Sequence, residues 1–232
     1  MRKAISFFII LILTSSAAHG GLFKESVEFA DLSQLSAEAL QSLKNTEFDV
    51  FLAEVRLAAT KVTRGLAQDD LKQAESVLDK ERLDLKAAKA EYEAAEAKQE
   101  KDRMASAERT IQKAKEAIKK VELLVKWKGK EVKARKAAVE RAKLAVELAE
   151  AKKDLARVSR LVEEKVPSAS KYSLVDWENK VKKTEEKYQK AMDKEKRESL
   201  EAEQLKAQYE KAAEGKVSAM DEILGGTQEV SR

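Results

Sequence analysis

RVSRLVEEKVPSASKY, residues 157–172, contains the only proline of the chain, Pro167. Around it, from Leu66 to Glu214, the sequence is almost entirely Ala, Lys, Glu, Leu and Val, with Gly129 as the one other helix-weakening residue. A proline has no N–H to give to a helix interior and its ring clashes with the preceding turn, so helices end just before it. Apolar residues recur every seven positions on both sides of this break, which is the pattern of helices that pack along a seam. The expected fold is therefore all-α: a long antiparallel coiled-coil hairpin with its tip at about 166–169, plus shorter N-terminal helices.

Beyond Pro167 the seam reads Leu174, Val181, Tyr188, Ala202 and Tyr209, with a second row of Trp177, Ala191, Leu205 and Ala212. Glu195 and Glu198 fall on seam positions, where folding about Pro167 brings them near Arg135 and Arg141, a charged layer suited to fixing register. Before Pro167 one frame holds Met104, Ile111, Ile118, Val125, Val132, Val139 and Val146, drifting to Leu148, Leu155 and Val162. An earlier frame holds Leu71, Leu78, Leu85 and Tyr92, with Ala74, Ala88 and Ala95 beside them. The two frames are out of step across residues 98–106. Either the helix breaks near 98–106 or one seam turns away and a different partner face takes over; with no Gly or Pro there, the leading expectation is a continuous helix. Trp127 beside Gly129 is read as a ring covering a neighbouring helix next to a tolerated glycine.

Toward the N-terminus the helical pattern shortens. Leu35, Ala39, Leu40 and Leu43 share one face, and Asn45-Thr46 reads as a break. Phe48, Phe51, Leu52, Val55, Ala58, Ala59 and Val62 form the most hydrophobic segment, with Gly65 as its stop and Asp69 opening the next helix. The resulting division is a signal peptide at 1–20, short amphipathic helices at 21–68, the long hairpin at 69–214, and a short helix (Lys216 to Leu224) with a flexible tail at 215–232. The signal reading rests on Arg2 and Lys3, the apolar run FFIILIL at 7–13, and the small residues Ser16-Ala17-Ala18 and Ala18-His19-Gly20. That run is shorter than the roughly 20 residues a bilayer span requires, so no membrane span is expected after cleavage. Export to a periplasm, or secretion, follows.

Composition narrows the function. Charged residues make up 38% and aromatics 5%, and there is no cysteine, which removes disulfides and thiolate metal sites. Lys plus Arg number 46 and Asp plus Glu 42, a net +4 that falls to about +2 without Arg2 and Lys3. The cations alternate with anions rather than forming a stripe, so nucleic acid is not an expected partner. The sole histidine, His19, lies at the signal cleavage region. Lys128-Gly129-Lys130 lacks the spacing and strand of a phosphate loop. No catalytic residue, cofactor or metal is expected, and the chain reads as non-catalytic.

One motif stands at the tip. Arg157, Leu161 four residues on, Ser168 seven further, and Tyr172 four after that resemble the hairpin tip of periplasmic adaptor proteins, the membrane fusion proteins of the HlyD type. That resemblance covers about 40 residues and implies a partner-binding tip that engages an outer-membrane efflux duct. The β-rich lipoyl and barrel modules of that family have no strand-patterned counterpart here, and Pro167 replaces the apolar residue usual before the serine. A capped turn between two helices, with Ser168 or Ser170 as the cap, accounts for the same residues. The leading expectation is an exported structural or interaction protein that self-associates and acts as scaffold, spacer or docking rod. Docking to an efflux duct is the alternative. A holdase chaperone is a further one, resembling the trimeric periplasmic chaperone, but its β-rich body is missing from the pattern.

Overall fold

The computed structural model describes residues 27–214. The signal segment, His19 and the helix expected at Lys216 to Leu224 lie outside the described residues. After a single turn, α1 (Phe29–Leu32), come three long helices: α2 (Ala37–Ala97), α3 (Lys101–Glu163) and α4 (Leu174–Glu214). A 3-10 segment, Pro167–Lys171, joins α3 to α4. The fold is an all-α antiparallel hairpin, with α3 running back along α2 and α4 back along α3. At about 1.5 Å per residue, the 61 residues of α2 and 63 of α3 extend roughly 90–95 Å.

Two expectations are corrected. Residues 37–97 form one helix, so neither Asn45-Thr46 nor Gly65 ends it. Thr46 turns its hydroxyl back to the Leu43 carbonyl (2.7 Å) instead of capping a new helix. Gly65 keeps a negative φ within the helix; its cost of about 1 kcal/mol is small beside the packing of so long a segment. The second correction concerns 98–106, where the chain reverses instead of continuing. Lys98–Glu100 separates α2 from α3, and Gln99 adopts φ 56°.

Both reversals are built alike. At the first, Glu100 N–H donates to the Ala95 carbonyl (2.9 Å) and Gln99 N–H to that of Glu96 (2.9 Å). At the second, Val166 N–H donates to Leu161 (3.0 Å) and Lys165 N–H to Val162 (3.1 Å), with Lys165 at φ 54°. These paired bonds are the Schellman arrangement, which satisfies the last carbonyls of a helix by one left-handed residue. At the second reversal the accompanying apolar contact is present, since Leu161 and Val166 are both buried in one cluster. Pro167 then prevents the helix from resuming, and Ser173 caps α4 through Asp176 N–H (3.3 Å), in place of Ser168 or Ser170.

Small residues line the seams. On α2 a seven-residue row buries Ala53, Ala67, Ala74, Ala88 and Ala95, while Leu43 and Leu78 are buried on the row beside it. Facing them on α3 are Ala107, Ala114, Val139 and Ala142. The apparent drift on α3 is a second seam: Ala134 is buried on the row that carries Trp127, Leu148 and Leu155, and Ala137, Ala151 and Val158 on the row beside it, toward α4's Trp177, Ala191 and Ala202. Trp127 covers α4 as expected, its ring 5.7 Å from that of Tyr209. The charged layer forms with partly exchanged partners. Arg141 meets Glu195 at 2.5 Å, Lys130 takes Glu198 (3.9 Å) and Glu201, and Arg135 stays with Glu131 on its own helix (3.9 Å).

Because Gln99 and Lys165 occupy left-handed backbone that costs an L-residue roughly 1–2 kcal/mol, Gln99→Gly and Lys165→Gly should each stabilise the protein by about 0.5–1 kcal/mol after the added freedom of the unfolded chain is subtracted. Chemical denaturation of the two variants checks this, and Gln99→Val should shift the midpoint the other way.

Candidate interaction site at the proline turn

Among the described residues, a cluster of buried apolar side chains lies beside the Pro167 turn. Val27, Leu32 and Leu35 from the N-terminal segment meet Ala39 and Leu43 of α2, Val158 and Leu161 of α3, Val166 of the turn and Trp177 of α4. Three helix ends converge there, so this is where apolar side chains larger than alanine can be enclosed.

The four tip residues are all drawn into this cluster or its rim. Leu161 is 0% exposed, at the centre. Arg157 points along the α2–α3 interface, pairing with Glu47 (3.0 Å) on α2 and Asp154 (3.5 Å) one turn back. The Tyr172 hydroxyl donates to Asp31 Oδ2 (2.5 Å) and accepts from Glu28 N–H (3.2 Å). Ser168 carries a buried hydroxyl oxygen outside hydrogen-bond geometry, close enough to Asp31 to help hold its charge. The turn thus brings Ser168, Lys171 and Tyr172 together around one buried carboxylate, Asp31, contributed by a segment about 140 residues earlier. Asp31 drew no attention in the sequence, because a lone aspartate in a short polar lead-in carries no periodic signal.

A second contact fastens the same segment. Ser36 caps α2 by accepting from Ala39 N–H (3.1 Å), and both its own N–H (2.7 Å) and its hydroxyl donate to the Glu164 carboxylate. Glu164 sits beside the N-terminus of α2, where the helix dipole favours an anion. Residues 27–36 therefore lie as a latch over the end of the rod. A partner that contacted Leu161 would first have to displace them.

The electrostatics of the latch have one sign. Hydrogen bonding from Tyr172, aided by Ser168 and Lys171, holds the Asp31 carboxyl below its ordinary value despite burial. The Ser36 hydroxyl and N–H do the same for Glu164. Tyr172 itself is pushed up, first by burial and then by the Asp31 charge. Deeper in the rod the sign reverses: burial raises Asp154 in spite of Lys153, Arg157 and Lys180, and burial likewise raises Glu150.

No protein-family model, curated protein or solved structure matches this chain. What the site can do therefore follows from its own geometry.

For a carboxyl whose folded pKa is lowered, stability is fully present above the unfolded value and is lost as pH falls through the folded one. Starting from 3.8 for Asp31 and 4.5 for Glu164, the latch should hold above about pH 4.5 and release as the solution becomes more acid. Asp154 and Glu150 act in the opposite sense, contributing most below their unfolded values and less as pH rises, so they do not produce an acid release. Trp177 emission in a Trp127→Phe background reads the latch, and Tyr172→Phe should move the release to higher pH. Superimposable profiles would exclude the Asp31–Tyr172 contact as its fastening. Leu161→Ala should cost about 2–5 kcal/mol, as cavity-forming changes at fully enclosed leucines do, measured by urea unfolding.

Proposed function

We propose that this chain is an exported, non-catalytic coiled-coil protein that acts as a scaffold, spacer or docking rod through protein–protein contacts. Export rests on the signal-like segment at 1–20. No helix among the described residues is long and apolar enough to cross a membrane, which fits a rod working outside the bilayer.

The observation that carries the reading is a surface. Phe48, Phe51, Val55, Val62 and Leu66 project from α2 with 46–63% of each residue exposed. They lie on the face opposite the buried row of Ala53 and Ala67. An apolar stripe of this size on a monomer marks an interaction site. Elsewhere the outer surface carries Lys–Glu and Arg–Asp pairs that favour water, with exposed apolar residues such as Phe29, Leu83 and Val175 between them. A stiff body with an apolar stripe along one face is suited to holding partners at a fixed separation. The residues of the adaptor resemblance offer a less open surface, because Leu161, Ser168 and Tyr172 are engaged by the latch and Arg157 by Glu47 and Asp154.

Small-angle scattering tests the rod. A 90–95 Å rod has a radius of gyration of about 27 Å, whereas a compact globule of about 212 residues would give roughly 17 Å. A value near the lower figure would sink the proposal.

A further inference from the structure

We propose that the α2 stripe is a self-docking seam that joins two copies of this chain in an antiparallel dimer. This deepens the docking-rod reading and rests on it. Phe48, Val55 and Val62 recur every seven residues, as do Phe51, Ala58 and Gly65, so the stripe has the two-row phasing of a coiled-coil contact. It is finite. The same two rows carry Gln41 and Lys44 before it and Asp69 and Lys72 after it, all exposed.

Antiparallel pairing of two rows places each residue of one row against the other row of the partner. One register fits by both size and charge. It sets Phe48 against the partner's Gly65, Phe51 against the partner's Val62, and Val55 against the partner's Ala58. Beyond these, Lys44 meets the partner's Asp69. On the flank, exposed Glu54 lies beside the partner's Lys61. A shift by one heptad in either direction brings Lys44 onto the partner's Val62, or Asp69 onto the partner's Phe51, and buries an unmatched charge in apolar surroundings.

Gly65 supplies an independent argument. It stands in the middle of a helix, where glycine is unfavourable. Nothing within the monomer requires it, since a Cβ there would meet no atom within 4 Å. A helix-interior glycine facing open space is accounted for by the partner's Phe48 ring, which needs that gap. Covering the stripe from both copies removes roughly 1,000 Å² from water, the lower bound for a specific interface. A dimer with a micromolar dissociation constant, exchanging readily, is the expected strength.

Light scattering of the signal-free chain between about 1 and 100 µM should show monomer passing to dimer. Gly65→Leu fills space that is open in the monomer, so helicity and unfolding stability should be kept or raised. The dimer should weaken about 30-fold or more, because the clash occurs twice in a symmetric interface. Glu54→Lys should weaken it about ten-fold and the double change with Lys61→Glu should restore it. The chain has no cysteine, so a short bismaleimide should join copies of Ala58→Cys but not of Glu75→Cys, whose two sites lie about 55 Å apart in this register. A mass that stays monomeric at 100 µM, a dimer indifferent to Gly65→Leu, or equal crosslinking at both positions would overturn the proposal. A monomer that still scatters as a rod would overturn self-docking alone and leave the rod reading standing.

Discussion

Everything in this molecule depends on α3 being able to touch a helix on each side at once. Alanine makes that possible. With Ala107, Ala114 and Ala142 toward α2 and Ala134 and Ala151 toward α4, neighbouring backbones approach closely and two seams fit on one helix without a wide apolar face. The helix can then remain dominated by charge and still be held along its length. Burial per residue is small on such a seam, so length does the work that side-chain size does in a globular core. Long, thin and highly charged is the shape that follows.

Where the chain turns, the constraint differs. A Schellman end needs one residue in the left-handed region and two carbonyls in reach, and it does not need glycine. Gln99 and Lys165 both supply that conformation at a local cost that the closed hairpins offset. The second turn adds Pro167 and the Leu161–Val166 contact, which bind the reversal to the core. The first has neither. Its partner residues, Glu100 and Ala95, offer little apolar surface, so its geometry is held mainly by α2 and α3 meeting on either side.

This difference explains what could be read in the residues. The seam on α4 was legible to the individual position, including Trp177, Ala191 and Ala202, because one period runs unbroken from Leu174 to Ala212. Pro167 announced its turn. The reversal at Lys98–Glu100 was hidden, since none of its residues is a helix breaker; the one trace it left was the loss of frame between Tyr92 and Met104. A frame offset that no single helix absorbs comfortably is what a chain reversal produces, because two separate helices owe each other no common phase. On α2 the opposite error arose. Thr46 and Gly65 carry local stop signals that were outweighed by continuous packing on α3. At the tip, Arg157, Leu161, Ser168 and Tyr172 stood out by their spacing, and the structure places all four at the end of the rod beside the Pro167 turn. The latch that reaches Leu161, Ser168 and Tyr172 was invisible, because it lies far away in sequence.

The rod is also unequal along its axis. Around Pro167, three helix ends, the latch and the largest enclosed side chains coincide. At the other end the described part of α4 stops at Glu214, Trp127 and Tyr209 form a ring contact near it, and, among the described residues, 101–120 pack on α2 across Ala107 and Ala114. Local opening free energies follow buried apolar contact, so among the described contacts the end that carries Leu161 is the better anchored of the two. The exposed stripe at 48–66 lies on the well-anchored half. A docking surface placed there does not have to bear the cost of ordering its own scaffold when a partner arrives, whereas the same stripe near Gln99 would lack that anchor. Stiffness at one end and an open face beside it are therefore two consequences of a single layout.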